Sequence, residues 1–240
     1  MIVATDLLVS PVQLVKGDAR KMSNTKSVLP LQASAPTHER VYQTLRDMVL
    51  FGDFVPGQAV TIQGLTQSLS VGATPVREAI RRLIAESALL MLGNRRICVP
   101  LLKASDIQEL LYARLALETE LVRRAAQHVS KSDLDHLTKI DSELDKAILS
   151  GDQRAYLQLN YQFHTEVFTL AGAPVLHEIT DKLWLRFGPP LRGFIKTNGL
   201  LEMPDCHKDL LDALAAQDTE GAVIAITGDI EQGVGQIKTM

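Results

Sequence analysis

Thr74-Pro75-Val76-Arg77-Glu78-Ala79-Ile80-Arg81-Arg82-Leu83 is the stretch that decides the fold. Val76, Ile80, Leu83 and the following Ile84 recur at the spacing of a helix with one apolar face. Thr74 stands where an N-cap is expected. Pro75 takes the first helical position, where a missing N–H forfeits no bond. Arg77 and Arg81 lie one turn apart, on a strip rotated away from the apolar face. A helix that docks by one side and offers guanidinium forks on the other suits the DNA major groove, where arginine pairs with guanine edges. A solvated arginine face is the plainer alternative. It suits Arg82 better, because Glu78 precedes it by four residues and can pair with it.

Upstream, Val41, Leu45, Met48 and Val49 mark a first helix that Gly52 stops, and Phe54-Val55-Pro56-Gly57 reads as a turn. Thr61 caps a short second helix with Ile62, Leu65 and Leu69 inside, and Ser70 to Ala73 form the turn into the third. Downstream, Leu89 to Leu92 and Arg95 to Val99 flank Gly93-Asn94 as a β-hairpin. Three helices and a hairpin make a winged helix-turn-helix. Arg95 and Arg96 sit at its tip, where a wing follows the DNA backbone or enters the minor groove; a solvated tip is the alternative.

The expected organisation is a flexible arm over 1–36, a winged helix-turn-helix over 37–102, and an all-helical bundle over 103–240. The fold is mostly α. In the bundle, Ser105 with Gln108 predicts a capping box opening a helix that runs to about His128. Further helices are expected near 132–149, 153–171, 174–187, 204–217 and 219–238, with Gly188 to Pro204 as a break.

Charge divides unevenly. Lys16, Arg20, Lys21 and Lys26 outnumber Asp6 and Asp18 in the arm. Seven arginines outnumber five acidic residues over 37–102, so the remainder must carry −7 for the chain to reach its net −3. A basic front on an acidic back suits a polyanion-binding module joined to a part that avoids nucleic acid. No apolar run nears the roughly 20 residues of a membrane span, and the start lacks a signal-peptide pattern, so a cytoplasmic protein with no membrane partner is expected. Cys98 and Cys206 sit in no CxxC motif, and Cys206 is expected to be inert.

Polar residues interrupt the apolar stripes of the bundle. Arg114 shares a stripe with Ile107, Glu118 and Leu121, and burial obliges it to find a partner: either Glu118 or an anionic effector. Asn160 and His164 stack one turn apart beside Tyr156 and Phe163, His207 shares a stripe with Leu210 and Leu214, and Asp229 shares one with Ala222 and Ile226. Each alone reads as a hydrogen-bonded core residue. Together, two imidazoles, a carboxylate and an amide oxygen suit Zn, Mn or Ni. His128, His136 and His177 read as surface residues.

Val41-Tyr42 with Leu45-Arg46, Gly52 with Pro56-Gly57, and the Thr74 to Leu83 run resemble the winged-helix domain of the GntR family. Asn160 with Phe163-His164, and His207 followed by Leu210-Leu211, Ala213-Leu214, Asp218 and Ala222, resemble the FCD effector domain of its FadR subfamily. The resemblance covers about 38–238. It implies a homodimeric, ligand-responsive regulator that binds a two-fold operator in double-stranded DNA. DNA contact then falls to Thr74, Arg77, Arg81, Arg95 and Arg96, and effector contact to Arg114, Glu118 and Asn160. The metal set implied is Asn160, His164, His207 and Asp229. The family has Asp where Asn160 stands and His where Asp229 stands, so the carboxylate has crossed the site. The family also has Ser-Arg at Gly72-Ala73, and Gly at Ser87 and Arg96.

The expected function is a repressor whose operator affinity is set by a small carboxylate, with or without the assistance of a metal ion. The alternatives are the same role with a metal-free pocket for an acyl-type ligand, or a metal-dependent hydrolase. The hydrolase finds no nucleophile with its base, no phosphate loop and no HExxH.

Overall fold

The computed structural model describes residues 37–191, 204–235 and 237; the arm expected over 1–36 lies outside them. The winged helix comprises α1 (Thr37–Leu50), β1 (Ala59–Val60), α2 (Ile62–Leu69), α3 (Ala73–Ala85), β2 (Leu90–Met91) and β3 (Ile97–Cys98). Gly52, at φ 70°, ends α1 as its lack of a Cβ allows. The Thr61 hydroxyl accepts from the Gly64 N–H at 3.1 Å and caps α2.

Two details of this half differ from expectation. Helix α3 starts two residues early: Gly72 is its N-cap in an extended conformation with no side-chain bond, and Thr74 stands exposed inside the first turn. The sheet has a third strand. β1 pairs antiparallel with β3, giving the order β1-β3-β2 with Ala59 opposite Cys98 and Val60 opposite Ile97. Two residues carry no alternation to read, so β1 exists only because Val60 is buried against the hairpin.

The second half holds α4 (Ala104–Ala125), α5 (Lys131–Ser150), α6 (Gln153–Leu170), α7 (Pro174–Leu191), α8 (Cys206–Ala215) and α9 (Thr219–Gly235). Ser105 does not cap α4. The Lys103 N–H donates to the Asp106 carboxylate at 2.8 Å instead, which places the helix start one turn from the acidic side chain best suited to it. Helix α7 also continues through Gly188-Pro189-Pro190, where a break was expected. Tertiary contact holds that last turn: a Cβ on Gly188 would stand 2.5 Å from the Leu50 carbonyl oxygen, so the bare glycine lets α7 lie flush on the end of α1. Among the described residues no helix is long and apolar enough to cross a membrane.

The apolar core of the winged helix does not close on itself. Val41, Leu45, Val49 and Leu83 belong to one buried cluster with Ile107 of α4, Leu157 of α6, and Trp184, Leu185 and Phe187 of α7. A second cluster fills the bundle around Leu121, Phe163, Val167, Leu210 and Ile226.

Candidate functional site

Helix α3 buries Val76, Ala79, Ile80 and Leu83 and leaves Arg77 and Arg81 exposed on the opposite strip. Neither arginine has a protein partner among the described residues. Arg82 is engaged, though not with Glu78. It bonds Glu39 at 3.0 Å and Glu86 at 3.3 Å, and its guanidinium lies 3.5 Å from the centre of the Tyr42 ring. The Tyr42 hydroxyl donates to Glu86; burial and that carboxylate push its pKa up to about 12. Arg82 therefore fastens α3 to α1, and the two free cations flank it.

At the wing tip the Leu92 N–H donates to the Arg96 carbonyl at 2.8 Å, and the Arg96 N–H donates to the Asn94 side chain at 3.1 Å. Arg95 adopts φ 60°, and both Arg95 and Arg96 are exposed.

In the bundle, α6, α8 and α9 bring His164, His207 and Asp229 together. His164 Nε2 is 3.1 Å from one Asp229 oxygen, His207 Nε2 is 3.6 Å from the other, and the two Nε2 atoms are 3.3 Å apart. Both imidazoles are buried, and His207 stacks on Phe163 at 4.1 Å between ring centres. Asn160, one turn before His164 on α6, is buried and lines the same two cavities as Asp229.

Sequence reading missed Asp141. This α5 carboxylate is buried and stands 3.4 Å from His207 Nδ1. Its only signal was a charge beside the Leu137-Ile140-Leu144 stripe. A carboxylate at Nδ1 keeps the proton there and turns the Nε2 lone pair toward Asp229 and His164, the arrangement of a metal-bound histidine.

Electrostatics agree with the geometry. Burial pushes the Asp229 carboxyl up, but His164, His207 and Arg114 outweigh it and hold the group well below the usual carboxylate range. Burial pushes His207 down, and the Asp141 bond with the charges of Asp229, Asp141 and Asp205 raises it overall. Cys206 is buried, accepts from Gln232 Nε2 at 3.1 Å, and has its thiol pushed up to about 11 by burial and nearby carboxylates. His128 and His136 are exposed.

Arg114 has the protein partner that its position required. Its Nε and Nη2 donate to the two Glu118 oxygens at 2.6 and 3.0 Å, a bidentate pair with both side chains buried. The guanidinium also faces the Trp184 and Phe187 rings at 4.5 and 4.3 Å. Arg114, Trp184 and Phe187 line an inner cavity of about 40 Å³. Tyr156, Asn160, Asp229 and Gln232 also line it and are shared with an outer cavity of about 390 Å³, on which Asp145, Asp205 and His207 open.

The donor set fits a transition-metal ion. Two imidazole nitrogens and a carboxylate oxygen all lie within 4.8 Å of one another, and one imidazole already has the outer carboxylate that metal-bound histidines use.

Comparison with known proteins places this architecture. Residues 37–99 match the bacterial regulatory proteins of the gntR family, and residues 109–232 match the FCD domain. The HTH-type transcriptional regulator McbR of Escherichia coli is 28% identical over 198 residues, spanning 81% of this chain and 90% of its own. The E. coli HTH-type transcriptional repressor GlaR is 26% identical over 195 residues, 75% of this chain and 86% of its own. A solved structure of E. coli McbR/YncC aligns with a TM-score of 0.77 at 26% identity, over 84% of this chain and 96% of that one. The chain belongs to the GntR family of bacterial regulatory proteins and carries its FCD domain, which makes it a DNA-binding transcription regulator rather than an enzyme.

Proposed function

We propose that this regulator is a cytoplasmic, homodimeric repressor whose hold on its operator is set by a small carboxylate bound beside a metal ion. Repression is the named role of GlaR, to which the chain is similar. In this reading residues 37–102 bind DNA and 103–240 sense the ligand and dimerise. Arg77 and Arg81 read base edges, Thr74 meets phosphate, and Arg95 and Arg96 meet the DNA through the wing.

His164, His207 and Asp229 would hold a zinc, manganese or nickel ion, with Asn160 beside them. One observation carries this: three donor atoms from three helices converge where Asp141 has already oriented one of them. The ion would supply positive charge for an anionic effector in a chamber whose own carboxylates, Asp229, Asp205 and Asp145, repel one. Arg114, held by Glu118, contributes its field to the same chamber, as its effect on Asp229 indicates.

The test is metal content by plasma mass spectrometry on purified protein, with His164→Ala alongside, followed by operator binding with and without chelator. About one ion per chain in the wild type, lost in the variant, supports the proposal. Metal-free protein that binds its operator sinks the metal and favours the second reading, an acyl-type ligand, for which Leu144, Ile148 and Leu149 already supply an apolar wall in the outer cavity.

A further inference from the structure

The two histidines of the chamber differ in what supports them. His207 has Asp141 at its Nδ1; the Nδ1 of His164 is buried and has no hydrogen-bond partner among the described residues. Four other buried side-chain polar atoms share that condition: Arg40 Nε, and on α7, which packs against the His164 helix, Arg186 Nε, the Thr180 hydroxyl and the Trp184 indole N–H; the last two lie on the α7 face that carries the His164 contact.

Register places Trp184 beside His164 and Thr180 one turn away on the same face of α7. Helices α6 and α7 run antiparallel. Phe168 meets His177 at 6.2 Å between ring centres, Tyr161 meets Trp184 at 5.7 Å, and His164 meets Trp184 at 5.0 Å. Thr180 lies one turn before Trp184, between the His177 and Trp184 contacts, and is fully buried.

The threonine is itself unusual. A helical threonine commonly turns its hydroxyl to the carbonyl four residues back. Thr44, Thr119, Thr138, Thr169 and Thr227 all do so, at 2.6 to 2.9 Å. Thr180 does not, although nothing polar from solvent reaches it.

We propose that a single buried water molecule is bound between Thr180, Trp184 and His164, and that Thr180 and Trp184 are thereby the positioning residues of His164. The chemistry of the three groups fits one water: an indole N–H only donates, a hydroxyl donates or accepts, and an imidazole Nδ1 does either according to tautomer. A buried water typically makes about three hydrogen bonds, and three atoms stand ready.

Water differs from the carboxylate that supports His207, which only accepts. It lets His164 donate Nε2–H to Asp229 while Nδ1 accepts, or keep its proton at Nδ1 and offer Nε2 to an ion. In either tautomer no buried atom is stranded. The consequence for metal rests on the metal reading above; the water site does not.

The experiment is a high-resolution crystal structure of the full chain, with Thr180→Val, Thr180→Ser and Trp184→Phe compared for zinc affinity and for the 15N shifts of His164. Support is a water peak within hydrogen-bond reach of all three atoms in the wild type. Support also requires a tenfold or larger loss of zinc affinity in Thr180→Val, restored by Thr180→Ser, as outer-shell partners typically show. A wild-type crystal without the peak overturns the proposal, and so does a Thr180→Val protein with wild-type zinc affinity. Wild type that has the peak but binds no zinc overturns the metal reading alone. In that case a His164 shift moved by Thr180→Val and by Trp184→Phe supports the water, and unmoved shifts overturn it.

Discussion

Arg46 of α1 and Asp181 of α7 are joined at 2.5 Å, and the same Arg46 nitrogen bonds the Tyr161 hydroxyl of α6 at 3.1 Å. One side chain of the winged helix is thus held by two helices of the FCD half. Tyr161 extends the link inward: its ring meets Phe51 at 5.9 Å and Trp184 at 5.7 Å, and Trp184 faces both His164 and Arg114. Arg154 pairs with Asp53 nearby.

Arg46→Met should lower the unfolding free energy by about 1.5–3 kcal/mol, the range for a largely buried, charge-assisted hydrogen bond. Urea titration measures this. A change under about 0.5 kcal/mol would show that the link is decorative.

Arg114 and Glu118 should behave as a unit. Glu118→Leu alone leaves a buried guanidinium uncompensated and should cost about 3–5 kcal/mol. The double change Arg114→Met with Glu118→Leu should cost less than either single change, because it removes both charges from a site that is apolar on its aromatic side. Denaturant unfolding of the four proteins closes the cycle, and additive losses would contradict it.

Arg77→Ala and Arg81→Ala should each weaken operator binding by about 1–3 kcal/mol, roughly 5- to 150-fold, at constant salt. Neither should move stability by more than about 0.5 kcal/mol, since neither makes a hydrogen bond, ion pair or ring contact with another of the described residues. Arg82→Ala should do the reverse, lowering the melting temperature through the lost Glu39, Glu86 and Tyr42 contacts. Mobility-shift titrations beside thermal melts separate the two patterns.

Asp141→Asn should reduce transition-metal affinity about 10- to 100-fold, because an amide no longer enforces the His207 tautomer. Competition with a chromogenic chelator reads the change. An unaltered affinity would mean that His207 needs no outer partner.

Cys206 should resist alkylation at neutral pH. With its thiol pushed up to about 11, the thiolate fraction near pH 7 is minute and should grow about tenfold per pH unit. Iodoacetamide labelling followed by peptide mass spectrometry at several pH values reports it, and fast labelling at pH 7 would refute the assignment.

Much of this molecule was legible in the order of its residues, because the cues were local. Apolar spacing within one helix, Thr61 as a cap, Gly52 as a stop and the Gly93-Asn94 pair at a turn act over a few residues and are read without knowing the fold. The exposed pair Arg77 and Arg81 followed from the period alone, as did the inward stripe shared by Arg114 and Glu118 and the stacking of Asn160 on His164. What failed was decided over distance. Helix α7 runs through two prolines because Gly188 is pressed against Leu50, more than a hundred residues away in the chain. Strand β1 exists because β3 offers it a partner. Arg82 chose Glu39 and Glu86 over Glu78 because α1 packs beside α3. Asp141 has no role until α8 sets His207 against it. A sequence determines which faces are apolar and where helices start; which polar group meets which across those faces is fixed only when the faces close, because a hydrogen bond depends on ångström distances that periodicity does not encode.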